Sequence, residues 1–114
     1  MAQHAEITDL AAVGAQLLEE ARASAHQRVS RLVVTGARQR AVLMALGEGG
    51  ELGEHDSPAA ATFHVLQGRA RLHSGENAEW IVNAGCLVEI PPERHAVTAL
   101  TDCVILLTVS LDPE

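Results

Sequence analysis

Aromatic side chains are nearly missing from this chain, which has Phe63, Trp80 and no tyrosine. A core built without them must be packed with Leu, Val, Ile and Ala, and few π-faces remain to stack a planar ligand. Basic residues are also scarce, 8 against 15 acidic, for a formal charge of −7. No nucleic-acid partner is therefore expected, because such binding relies on Lys and Arg neutralising phosphates. Arg28, Arg31, Arg38 and Arg40 gather in one stretch, but with almost no aromatics nearby they read as a solvated face. Long apolar runs are lacking too. The most apolar segment, Val104 to Leu111, is too short for a bilayer, which takes about 20 residues, so no membrane partner is expected. The opening MAQHAEITDL has no basic segment followed by an apolar core, which predicts no secretion signal and a cytoplasmic location. Cysteine is limited to Cys86 and Cys103, without CxxC spacing. Both stand in apolar, strand-like segments and are expected as buried, reduced thiols.

What is present is a single domain's worth of chain, residues 1–114, with 47% hydrophobic and 20% charged residues. Leu10, Val13, Leu17, Ala21 and Ala25 recur at three- and four-residue steps and predict an amphipathic helix over about 9–26, with Thr8 or Asp9 as its N-cap. Its apolar stripe needs cover, either the outside of the rest of the domain or a partner subunit. The period then changes to that of strands, over about 29–112. Segments 31–35, 40–46, 62–66, 69–73, 79–82, 86–90, 95–100 and 103–111 are divided by turns rich in Gly, Pro, Asn and Asp. Pro91 and Pro92 stop one strand, since neither can donate to a ladder. One helix followed by eight or so short strands predicts a sandwich or barrel.

Two segments carry candidate chemistry. Gly49 is followed by five residues and His55, and Gly68 closes this stretch within VLQGRARL. Gly85 is followed by five residues and Pro91, with His95 shortly after. On these residues the chain resembles the cupin superfamily of small double-stranded β-helix (jelly-roll) barrels, RmlC-like proteins among them. The resemblance implies an all-β barrel with one N-terminal helix and, as in other small cupins, a homodimer. In metal-binding cupins the two histidines of a His-x-His, a glutamate and a later histidine converge on one divalent ion. Here the second histidine is Ser57 and the glutamate position is Ala61, so His55 and His95 remain of that set. Glu93, at a glycine position of the second motif, and Ala99, at its asparagine position, depart as well.

Two imidazoles hold a divalent ion (Zn, Ni, Fe or Mn) only weakly unless a further donor such as Glu93 turns inward. Glu54 and Asp56 have the wrong parity for the lumen on a regular strand, which a bulge would change. Without metal, His55 and His95 would bond to each other, to Ser57 or to water, or grip a ligand directly. If Ala61 faces inward, Phe63 and Val65 do too, and with Met44, Val97 and Ser57 they predict a lumen for a small, largely apolar molecule. His64 then faces away as a packing or interface residue, and His4, His26 and His73 are expected in solvent. The leading functional expectation is a small-molecule-binding barrel with a degenerate metal site. The alternatives are a metal-dependent enzyme, such as a dioxygenase or isomerase using His55 and His95, and an auxiliary regulatory or dimer-scaffold protein.

Overall fold

The structure, a computed structural model, describes residues 6–55, 60–75 and 77–111. Among the described residues one helix, α1 (Leu10–Ala23), precedes nine strands: β1 (Arg28–Thr35), β2 (Gln39–Leu46), β3 (Glu51–His55), β4 (Ala61–Gln67), β5 (Arg69–Ser74), β6 (Ala78–Asn83), β7 (Leu87–Glu89), β8 (His95–Ala99) and β9 (Cys103–Ser110). They form a five-stranded sheet ordered β1-β2-β9-β4-β7 and a four-stranded sheet ordered β3-β8-β5-β6, with antiparallel pairing. The all-β architecture with one N-terminal helix is the one expected from the sequence.

Asp9 caps α1, its carboxylate accepting from the Ala12 N–H at 3.1 Å. The helix ends three residues before the expected His26. Ser24 turns extended (ψ 144°), and its hydroxyl accepts from the His26 N–H at 3.3 Å, a local bond that competes with another helical turn. Gln27, at φ 54°, then swings the chain into β1, which starts at Arg28 rather than at Arg31.

Strand alternation sorts each sheet into two faces. From the outer face of the five-stranded sheet, Leu43, Ala45 and Val104 meet Leu17, Leu18 and Ala21 of α1. The helix's stripe is thus covered within the protomer, and each fully buried leucine contributes about 2 kcal/mol. The contact is close at Gly14, where an added Cβ would stand 2.9 Å from Val104 Cγ1. Between the sheets, Met44, Leu46, Ala61, Phe63, Val65, Leu72, Val97 and Ile105 belong to one buried cluster. Phe63, at 1% exposure, is the only aromatic residue in it. As expected, β4 buries Ala61, Phe63 and Val65 on this side and leaves His64 half-buried on the other.

Two expectations are corrected. Both cysteines are free thiols, but Cys86 is exposed. It lies in the turn before β7, its N–H donating to the Asn83 carbonyl and its own carbonyl accepting from the Val65 N–H, so the backbone is tied down while the side chain looks outward. His73 is half-buried rather than solvated, because it stands within β5 between β6 and β8, with Nε2 3.5 Å from the Thr98 hydroxyl.

Candidate functional site

The two motif histidines belong to adjacent strands. β3 pairs with β8 so that His55 lies directly opposite His95, while Leu52 lies opposite Val97. Three steps along β3 against two along β8 mean a bulge at Gly53 and Glu54. Leu52 packs against the inner cluster, and an odd step on a regular strand would carry His55 to the opposite parity. The bulge restores it to the register of His95. The sequence leaves this stretch as a short segment without regular alternation, and its being a strand emerges only from pairing with β8.

His95 is 2% exposed and shares the inward parity of Val97 and Ala99. Its Nδ1 lies 3.1 Å from the carbonyl oxygen of Glu93. A carbonyl only accepts, so Nδ1 carries the hydrogen and, in the neutral ring, Nε2 carries the lone pair. That is the tautomer of an imidazole able to accept a hydrogen bond or to ligate an ion through Nε2. The contact explains part of the local sequence: Pro91 and Pro92 end the ladder after β7, and the chain can curl back over the ring it orients. The same curl is held from the neighbouring strand β5 by Ser74, 8% exposed, whose hydroxyl donates to the Arg94 carbonyl at 2.7 Å.

Glu93 is exposed and meets His95 through its backbone. Ala61, at 6% exposure, presents a methyl group to the core where the motif has a carboxylate. Met44, Phe63, Val65 and Val97, expected as a lumen lining, stand together packed in the inner core cluster. Ser57 and Asp56 lie outside the described residues. Among the described residues no group of three or more His, Cys, Asp or Glu side chains is placed to hold a metal ion. Any ion would need His55, His95 and at least one further ligand.

An open cleft of about 900 Å³ adjoins the loop that orients His95. Ser74, Ala78 and Trp80 line one wall, and Pro91, Pro92, Glu93 and Arg94 the other. Trp80 sits opposite Leu72 on the edge strand β6 and is 36% exposed. A lone tryptophan on an alternating strand carries no sequence mark of this role, and the wall it forms depends on where the Pro91–Arg94 segment lands.

The cupin domain family matches residues 42–109, more than half of the chain and all of the site strands. Among solved structures, a conserved protein of unknown function from Streptococcus pyogenes is 25% identical and superposes with a TM-score of 0.70, covering 99% of this chain and 92% of that one. A cupin superfamily protein from Desulfitobacterium hafniense gives 0.68 at 16% identity, covering 75% of this chain and 78% of its own. An RmlC-like cupin from Desulfovibrio desulfuricans gives 0.66 at 24%, covering 73% and 81%. Comparison with curated proteins finds no match. The matched residues span the histidine pair, the bulged strand and the loop over His95, and this chain belongs to the cupin family.

Proposed function

We propose that this cupin is a small-molecule-binding barrel whose ligand seats in the cleft beside the Pro91–Arg94 loop. The observation that carries the reading is the open cleft of about 900 Å³ walled by Trp80, Pro91 and Pro92. The cleft offers an indole face and two prolines for an apolar body, and Glu93 for polar groups. A small metabolite with an apolar ring or chain and one or two hydroxyl or acidic groups fits this description.

The test is a thermal-shift screen of such metabolites on the parent and on Trp80→Ala. A ligand that binds only the folded protein raises its melting temperature. A shift in the parent that disappears in Trp80→Ala is the expected result, whereas equal shifts in both would place the ligand elsewhere.

The pairing of His55 with His95 favours one second reading, a divalent ion held by the two imidazoles together with a further donor. Residues opposite each other in an antiparallel ladder stand about 5 Å apart at Cβ, close enough for two side chains to share one ligand. Such an ion would supply Lewis-acid or oxygen chemistry, the basis of a dioxygenase or isomerase. Elemental analysis of protein purified without chelator checks it. Stoichiometric Zn, Ni, Fe or Mn in the parent, and none in His55→Ala/His95→Ala, would favour this reading over simple binding.

A further inference from the structure

A separate cavity of about 290 Å³ is lined by Arg28, Val29, Ser30, Met44, Leu46 and Leu52, none of which lines the cleft beside the Pro91–Arg94 loop. Its position follows from the sheet orders. β1 ends the five-stranded sheet and β3 ends the four-stranded one, and the cavity takes its walls from both. Arg28 bridges the two edges, its Nη1 donating to the Glu51 carbonyl at 3.2 Å.

The lining is polar along one strand and apolar along the next. Arg28 stands directly opposite Leu46 and Ser30 opposite Met44, so each polar residue of β1 lies about 5 Å at Cβ from an apolar one of β2. Leu46 is fully buried, Met44 is 7% exposed, and Leu52 packs against the same inner cluster from β3. These three make an apolar floor. Arg28 and Ser30 are exposed, at its rim. The charge there is of one sign. The lining holds no acidic side chain, and the β1–β2 hairpin, residues 28–46, contains no Asp or Glu. Glu51 meets Arg28 through its carbonyl, and its side chain has the parity opposite to that of Leu52.

We propose that this cavity is a second ligand seat, for a free monocarboxylic acid with a short aliphatic chain. The chain lies over Met44, Leu46 and Leu52, and the carboxylate meets the Arg28 guanidinium and the Ser30 hydroxyl. Three features select this class. A guanidinium is a planar fork of five N–H donors that suits a carboxylate in two parallel bonds, and the Glu51 carbonyl already sets its direction. One arginine and one hydroxyl match a single negative charge better than the nearly two of a phosphate monoester. The volume stands at the lower end for ligand pockets, about 300 Å³, and the floor is aliphatic, with no ring on which a planar ligand would stack. This inference is independent of what the cleft binds.

The experiment is a titration with sodium hexanoate, followed at two places. Met1 and Met44 are the two methionines, so isotope-labelled methionine methyl groups make Met44 a nuclear magnetic resonance reporter in the cavity floor. Trp80, the one tryptophan, reports the cleft by fluorescence. Hexanoate should move the Met44 signal to saturation and leave Trp80 fluorescence unchanged. Hexanol, of equal chain length but uncharged, should bind at least about tenfold more weakly, and Arg28→Gln should bring the acid down to the alcohol's level. Ser30→Phe, which fills the rim, should abolish the shift. Both substituted residues are exposed, so folding is expected to survive, and circular dichroism checks it. Equal binding of acid and alcohol by the parent would overturn the proposal, as would undiminished acid binding by folded Arg28→Gln. So would a Met44 signal that hexanoate never moves, or a response confined to Trp80. A Met44 shift that follows protein concentration alone would overturn it too, by giving the cavity to a second copy of the chain.

Discussion

Gly68 shows how a single position can carry a fold. Its φ of +84° lies in the left-handed region, and a Cβ there would collide with the carbonyl oxygen of Asp102 and stand 2.8 Å from Thr101 Oγ1. Both penalties fall on rigid turn atoms, so Gly68→Ala should destabilise the protein by about 3 kcal/mol, read from urea denaturation midpoints. The glycine was legible in the sequence, since VLQGRARL closes the first motif. The reason for it was not, because Asp102 is remote in the chain. The two cysteines divide along similar lines. Burial, helped by the nearby Asp102 carboxylate, pushes the Cys103 thiol up to about 12, whereas Cys86 is exposed. Thiolate is the reactive form, so a thiol-disulfide reagent should titrate one cysteine per folded chain at neutral pH and two after denaturation. Their apolar neighbours looked alike in sequence. A turn with a tethered backbone separates them.

At the scale of elements, the joint between α1 and the barrel is polar as well as apolar. Asp102, in the turn between β8 and β9, accepts from the Glu48 N–H at 2.8 Å through Oδ1 and from the Arg22 guanidinium at 2.7–2.8 Å through Oδ2. The backbone N–H of Glu48, and then Arg22, hold its carboxyl below the usual value of 3.8. A lowered carboxylate pKa means stability that is fully present above the unfolded value and lost as pH falls through the folded one. Asp102→Asn should therefore destabilise by on the order of 1 kcal/mol at pH 7, the pair being partly solvated. The difference between the parent's and the variant's melting temperatures should shrink in melts run well below pH 3.8. The helix itself was legible from its three- and four-residue periodicity and its aspartate cap. Its end was not: Ser24-Ala25-His26-Gln27 contains neither Gly nor Pro, and Ala25 continues the apolar stripe in register. Strand β3 escaped because Gly53 and the bulge interrupt its alternation.

For the molecule as a whole, glycine and proline punctuation was enough to recover a barrel with one helix, because each strand is short and its turns are chemically marked. The candidate site was legible to the same extent as its motif, which named His55 and His95 but could not show them opposite each other. Ser74 and Trp80 join the site from β5 and β6, and nothing local in either strand points to the loop they meet. The sheet order has a further consequence. β9 lies between β2 and β4, so a chain stopped before Cys103 should show no cooperative thermal transition by circular dichroism, although it retains most of the strands.

Synthesis must meet the same constraint. As the chain emerges from its N-terminal end, β1 can zip to β2 early, but β2 and β4 have no strand to join them until β9 arrives. In the meantime Leu43 and Ala45, which α1 covers from one side, and Met44 and Leu46, which face inward, belong to a hairpin with one open flank. Non-local pairing of this kind is slow and leaves apolar edges waiting. The growing protein is thus most in need of protection just before its central strand is made, and the β1–β2 hairpin, all arginine and no acid, is the part that must stay soluble longest by charge alone.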